Sequence, residues 1–216
     1  MSSDANAHNP HWGQPVLAAG EPLATAAAAA VLLHGRGAPA ESILSLIPDI
    51  GQPGFAYLAP QAEGHTWYPH SFLRPVAQNE PRLSSALAAV EAVLAHIEAA
   101  GVSAEKVILL GFSQGACLAL EYAARNARRY GGVVGFSGGL IGATLRPYSG
   151  SLEHTPVFLG SGDPDAHVPA SRVSESAEVL TRMGAAVTKR LYPGIGHTII
   201  QDELDTVKAM LAALVK

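Results

Sequence analysis

Cysteine is nearly absent: Cys117 is the single one in 216 residues, so no disulfide can form within the chain. Its position on a helical pattern, four residues after Ser113, suits a small buried apolar side chain rather than a reactive thiol. Neither an oxidising nor a reducing compartment is therefore required. Charge is also scarce, at 15% of residues, with a net −4 at neutral pH. No basic patch is available to neutralise phosphates, which argues against a nucleic-acid partner. Arg125, Arg128 and Arg129 are the densest basic group and read as the solvated end of one helix. The first nine residues lack the basic start of a secretory signal. The longest uncharged apolar stretch, near residues 24–33, falls short of the roughly 20 residues needed to span a bilayer. The chain reads as soluble and cytoplasmic. His65, His70 and His96 have no metal-ligand spacing, and no phosphate loop or dinucleotide fingerprint occurs, so neither metal nor cofactor is expected.

An apolar content of 48% is enough to bury one large α/β core. Residues 1–15 read as a flexible lead-in and 16–216 as a single domain. Nearly continuous apolar runs mark strands at 30–33, 55–59, 106–110, 132–136, 157–160 and 187–192. Helical stripes lie between them, as in Leu83, Leu87, Val90, Leu94 and Ile97, and in Leu204, Val207, Leu211 and Leu214. Such alternation predicts a doubly wound, mainly parallel sheet with helices on both faces. Ligand sites in these sheets lie beyond the carboxyl ends of the strands.

One motif stands in that position. Gly111-Phe112-Ser113-Gln114-Gly115 follows an apolar strand and runs directly into a helical pattern. This is the strand–turn–helix context in which G-x-S-x-G forms a nucleophile elbow. The motif recurs at Gly135-Phe136-Ser137-Gly138-Gly139, but the residues after it reach Pro147 and Gly150 without a firm helix, so Ser137 reads as structural.

A serine hydroxyl needs a base to take its proton and an acid to hold that base. In the hydrolase order of serine, acid, histidine, the downstream histidines are His154, His167 and His197. His197 lies in a glycine-rich turn, Pro193-Gly194-Ile195-Gly196-His197, between a strand and the last helix, and is the expected base. His154 precedes a strand, which places it on the opposite rim. His167 lies too close to the acid to bridge acid and serine. Asp163 and Asp165 both follow a strand, and Asp165 is favoured because Val168-Pro169 complete a D-x-x-V-P pattern similar to hydrolase acid loops. Asp163 is then a turn former. The oxyanion donors are expected to be the backbone amides of Gln114 and of Arg36, in Leu33-His34-Gly35-Arg36-Gly37 after an earlier strand. His34 is expected to order that loop. Trp67 and Tyr68, after the second strand, and Phe72 and Leu73, in the long loop before the Leu83 helix, either line a pocket or pack over the sheet end; Trp67 and Leu73 are taken as the candidate substrate-binding residues.

These four motifs together resemble the phospholipase/carboxylesterase family of α/β-hydrolases, which includes the acyl-protein thioesterases. The resemblance runs from about Val31 to the C-terminus. It implies the α/β-hydrolase fold without a large lid, a Ser113–His197–Asp165 triad, and hydrolysis of carboxylic esters, with thioesters or lysophospholipids as further substrates. A small-molecule ester is then the partner, and a homodimer is compatible with the chain. The resemblance departs at Arg36, where many members carry an apolar residue; its guanidinium is expected at the cavity mouth, favouring substrates with an anionic group. An acyltransferase would share every one of these residues, whereas a binding module on this scaffold would usually lack one of the triad.

Overall fold

A computed structural model describes residues 9–215. In chain order the elements are β1 (Val16–Gly20), β2 (Ala28–Leu33), α1 (Ala40–Leu44), α2 (Ile47–Ile50), β3 (Phe55–Pro60), α3 (Arg82–Ala99), β4 (Val107–Phe112), α4 (Gln114–Arg125), β5 (Gly132–Phe136), β6 (Pro156–Asp163), α5 (Ala170–Arg182), β7 (Ala186–Pro193) and α6 (Gln201–Leu214). The strands form one seven-stranded sheet in the order β1-β3-β2-β4-β5-β6-β7. All neighbours run parallel except β1, which lies antiparallel on β3.

Side chains alternate between two cores because successive residues of a strand point to opposite faces. Ala29, Val31 and Leu33 of β2 pack with α3, α4 and α5, while Ala28, Ala30 and Leu32 pack with α1, α2 and α6. Every residue of β2, β3 and β5 is buried, which explains their unbroken apolar sequence. The six expected strands are all present. The seventh, β1, is not expected from the sequence: it is a short, half-exposed edge strand, Val-Leu-Ala-Ala-Gly, with too little hydrophobic contrast to stand out. Gly20 ends it at φ +79, where a Cβ would lie 2.4 Å from the Phe55 carbonyl oxygen.

The expected loose lead-in is corrected for residues 9–15. His11 is buried (4% exposed) and ties this segment down. Its amide donates to Ser85 Oγ (3.0 Å), its Nδ1 accepts from the Glu63 amide (3.0 Å), and its Nε2 donates to the Trp67 carbonyl (2.8 Å). Burial lowers its pKa, so the imidazole is held neutral. No periodicity announces such an anchor. Residues 1–8 of that expectation lie outside the described residues.

The chain reverses direction across the sheet between β2 and β4, which places a crevice at their carboxyl ends. The His34–Gly37 loop after β2 and the elbow after β4 meet there.

Glu203, at the start of α6, supplies a stability test. Its carboxyl is 1% exposed; Oε2 accepts from the Ile200 amide (2.9 Å), while Oε1 packs on Gly160 without a partner. Burial raises its pKa to about 7, against its ordinary value of 4.5. The folded state thus holds this proton more tightly than the unfolded state. Its contribution to stability is complete below pH 4.5 and lost as pH rises to about 7. The loss amounts to roughly 3 kcal/mol at most. Glu203→Gln, which cannot ionise, should gain thermal midpoint relative to wild type as pH rises from 5 to 8. A difference that does not vary with pH would contradict the burial of this charge.

Candidate active site

Ser113 sits at φ +56, ψ −116, a conformation costly for a residue with a side chain. The surrounding packing fixes it there. Its amide donates to the Phe136 carbonyl on β5 (2.9 Å), and its carbonyl accepts from the Cys117 amide one turn into α4 (3.0 Å). The two elbow glycines permit the crossing. A Cβ on Gly111 would lie 2.2 Å from the Gly115 carbonyl carbon, and one on Gly115 would lie 2.0 Å from the Leu33 carbonyl oxygen. The elbow is thus pressed directly onto β2, with Ser113 standing above the sheet.

His197 and Asp165 converge on it. His197 Nε2 lies 2.9 Å from Ser113 Oγ, and His197 Nδ1 lies 2.7 Å from Asp165 Oδ2. An ionised carboxylate only accepts, so Nδ1 carries the proton and Nε2 is free to accept from the serine hydroxyl. The Asp165 side chain is fully buried and that of His197 is 18% exposed. Burial alone would push the Asp165 carboxyl up. Hydrogen bonds outweigh it: the His197 ring and the amides of His167 (2.7 Å) and Val168 (3.0 Å) donate to the carboxylate, leaving its pKa lowered. The His197 loop reaches the site because Gly162 at the end of β6 has no side chain; a Cβ there would lie 2.1 Å from the Ile195 carbonyl oxygen.

The competing residues lie elsewhere. Asp163 is exposed, and its carbonyl accepts from the Gly194 amide (2.7 Å), a turn role. His154, His65, His70 and His96 are exposed. His167 is exposed too, with its ring edge-on to His197 at 4.8 Å between centroids. Ser137 repeats the elbow's backbone, at φ +49, but is fully buried and its Oγ has no partner among the described residues. No imidazole among the described residues hydrogen-bonds to it.

A cavity of about 690 Å³ opens over Ser113. Its apolar lining includes Tyr68, Phe72, Val168, Ile43 and Leu46, and Arg36, Gln114 and His167 are among its polar lining residues. Cys117 also faces it, but burial pushes its thiol up to about 12, so it is not a nucleophile at neutral pH. Gly35 lies against Phe112 and Ser113, bringing the Arg36 amide to the same rim as the Gln114 amide. Gln114 opens α4, so its N–H has no acceptor within the helix. Neither amide has an intramolecular acceptor among the described residues.

Three side-chain expectations change. Trp67 does not line the cavity: it is fully buried, and its indole N–H donates to the His34 carbonyl (2.9 Å) beneath the oxyanion loop. Leu73 packs on the main core instead. Of the two pairs, Tyr68 and Phe72 line the cavity, a choice within each pair that no helical or strand period governs in an irregular segment. The Arg36 guanidinium stands at the mouth, but its terminal nitrogens donate to the Pro69 and His70 carbonyls, both at 2.8 Å, rather than standing free for an anion. His34 does order its loop, with Nδ1 donating to the Gly35 carbonyl (2.8 Å) and Nε2 accepting from the Ala62 amide (3.1 Å).

Among the described residues no group of three or more His, Cys, Asp or Glu side chains is placed to hold a metal, and no helix is long and apolar enough to cross a membrane. The phospholipase/carboxylesterase family model matches residues 18–215. The chain belongs to the phospholipase/carboxylesterase family. A phospholipase/carboxylesterase from Dyadobacter fermentans is 48% identical in sequence, with a TM-score of 0.88 over 94% of this chain and 97% of that one. Esterase PE8 is 28% identical, with a TM-score of 0.77 over 93% and 98%. The acyl-protein thioesterase 1 of Gibberella zeae is 34% identical over 116 residues, 51% of this chain and 49% of the relative. The chain therefore spans about half the length of the curated relatives it matches. The phospholipase/carboxylesterase fold, a mostly parallel sheet flanked by helices, is that of the α/β-hydrolases.

Proposed function

We propose that this phospholipase/carboxylesterase-family protein is a serine esterase acting through an acyl-enzyme on Ser113. The observation that carries the reading is the unbroken contact line from Asp165 through His197 to Ser113, at 2.7 and 2.9 Å. Ser113 Oγ attacks the ester carbonyl carbon while His197 Nε2 takes the hydroxyl proton. The charge developing on the carbonyl oxygen is met by the amides of Arg36 and Gln114. Collapse of the tetrahedral intermediate breaks the bond to the leaving alcohol, which receives the proton from His197. Water then enters and gives a proton to His197 as its oxygen attacks the acyl carbon; collapse of this second tetrahedral intermediate breaks the bond to Ser113 Oγ, which takes the proton back from His197 as the acid leaves.

Asp165 holds the imidazole in the tautomer that can accept this proton, and its own hydrogen bonds keep it ionised on acidification. A neutral imidazole is needed to take the serine proton, so activity should fall on acidification. A profile flat down to pH 4 would contradict the general-base assignment.

The apolar wall suits an aliphatic or aromatic acyl group, in keeping with relatives named esterase, carboxylesterase and acyl-protein thioesterase. Thioesters fit the same chemistry, because the attacked carbonyl and oxyanion are unchanged. Every residue invoked comes from one chain, and none requires a disulfide, in keeping with a cytoplasmic setting. The test is a panel of p-nitrophenyl esters from acetate to octanoate. Saturable release of p-nitrophenolate with an optimum chain length is expected; no turnover at any length would overturn the reading.

A further inference from the structure

Four consecutive residues, Trp67-Tyr68-Pro69-His70, are gripped along their backbone by two side chains. The Gln114 side-chain oxygen accepts from the Trp67 amide (2.9 Å), and its nitrogen donates to the Tyr68 carbonyl (2.8 Å). The Arg36 guanidinium takes the next two carbonyls, Pro69 and His70, one on each terminal nitrogen (both 2.8 Å). The gripping residues are those whose backbone amides face the ester oxygen in the mechanism above.

We propose that Trp67–His70 is a brace for the oxyanion hole, and that the Arg36 and Gln114 side chains are positioning groups that lock their own amides in the productive direction. This rests on the esterase reading and adds to it. The need is plain from the local sequence. Arg36 stands between Gly35 and Gly37 in an exposed stretch, and Gly37 adopts φ +77. Glycines on both sides leave the peptide planes around residue 36 poorly restrained by sterics. The Gly35 carbonyl, which shares a peptide plane with the Arg36 N–H, accepts from His34 Nδ1 (2.8 Å) and the Ala38 amide (3.3 Å), and the Arg36 side chain adds a second restraint from the other side of the residue. The Gly37 amide donates to the His65 carbonyl (2.7 Å), and the Arg36 fork holds the other side of the same segment. A planar guanidinium with fixed donor directions suits two adjacent carbonyls, as an ammonium does not. Gln114 is held on rigid α4 and is buried (5% exposed), so its amide group fastens the brace to the elbow. The brace also carries Tyr68 and leads to Phe72, so the acyl wall and the oxyanion donors form one connected piece.

The brace should act on kcat, because the oxyanion forms only as the reaction proceeds. A displaced donor costs less than a deleted one; about 10-fold in kcat is expected for Arg36→Ala, against roughly 100- to 1,000-fold for loss of a donor. Arg36→Lys should fall between, and guanidinium chloride at low millimolar concentration should restore part of the Arg36→Ala loss. Gln114→Glu, nearly the same shape but without the donor to Tyr68, should also lower kcat. KM for p-nitrophenyl acetate, whose acyl group is too short to depend on Tyr68 and Phe72, should stay within about 2-fold of wild type in all three. The Arg36→Ala and Gln114→Ala effects should be non-additive when combined.

The experiment measures kcat and KM of these variants on neutral and carboxylate-bearing esters, with thermal midpoints and fluorophosphonate labelling taken to completion. Lowered kcat with near-constant KM, guanidinium rescue and full labelling supports the brace. An unchanged kcat in Arg36→Ala would overturn it. A raised KM confined to carboxylate-bearing esters would also overturn it, by showing that the guanidinium serves the substrate. A folded wild-type protein that does not label at all would instead overturn the esterase reading beneath it.

Discussion

Ser113→Ala should lower kcat by roughly 10⁴- to 10⁶-fold while leaving the fold intact. Removing the nucleophile of such a triad disables it as a unit, and only binding and oxyanion stabilisation survive. The backbone at residue 113 is held by the bonds to Phe136 and Cys117, neither of which uses the hydroxyl. The thermal midpoint should therefore stay near that of wild type, and substrate should still bind. Ser137→Ala is the matched control. It removes a hydroxyl that has the same G-x-S-x-G context and the same left-handed backbone, but no base within reach and no partner. Its kcat should lie within about 2-fold of wild type. Steady-state hydrolysis of one p-nitrophenyl ester by the two variants separates these outcomes, and comparable losses in both would contradict the assignment.

Gly115→Ala should destabilise the protein by at least about 3 kcal/mol, or prevent its folding. The added methyl would meet Leu33 carbonyl oxygen at 2.0 Å, its carbon at 2.5 Å and the His34 carbonyl oxygen at 2.7 Å. All three are backbone atoms, so no side-chain rotation relieves the clash. Moving the end of β2 would carry the Arg36 amide with it, so any variant that folds should lose activity as well. Gly37→Ala makes the contrast, because a Cβ there has nothing within 4 Å and meets only the strain of φ +77. That strain costs on the order of 1–2 kcal/mol. Urea unfolding of both variants is the measurement. A Gly115→Ala midpoint equal to that of Gly37→Ala would show that the elbow does not press on β2 as described.

Much of this was legible before any coordinates, for identifiable reasons. Strands buried on both faces write themselves as apolar runs, so β2 through β6 stood out, while the largely exposed β7 rests on its β-branched and aromatic residues. The edge strand β1, Val-Leu-Ala-Ala-Gly, is short and half-solvated, so no run marks it. Ser113 was legible because steric necessity puts glycine two residues to either side of it. The strand order then restricts acid and histidine to later loops, which led to Asp165 and His197. Ser137 shared the motif, and only its burial and the absence of an imidazole partner separate it physically. The cavity wall was less legible: of the pairs Trp67-Tyr68 and Phe72-Leu73 the sequence favours Trp67 and Leu73, whereas Tyr68 and Phe72 line the cavity. In an irregular segment the facing of each side chain is set by tertiary hydrogen bonds, here from Gln114 and Arg36, and not by a repeat. The anchoring of residues 9–15 by His11 was invisible for the same reason, since its partners at Glu63, Trp67 and Ser85 are remote in sequence.

The central claim is that Ser113 alone is activated by His197. Reaction with a fluorophosphonate, followed by peptide mass mapping, tests it most directly. One phosphonyl adduct per chain on the peptide carrying Ser113, abolished in Ser113→Ala and slowed strongly in His197→Ala, is the result this account predicts. An adduct on the peptide carrying Ser137, or labelling of Ser113 at the same rate without the imidazole, would contradict it.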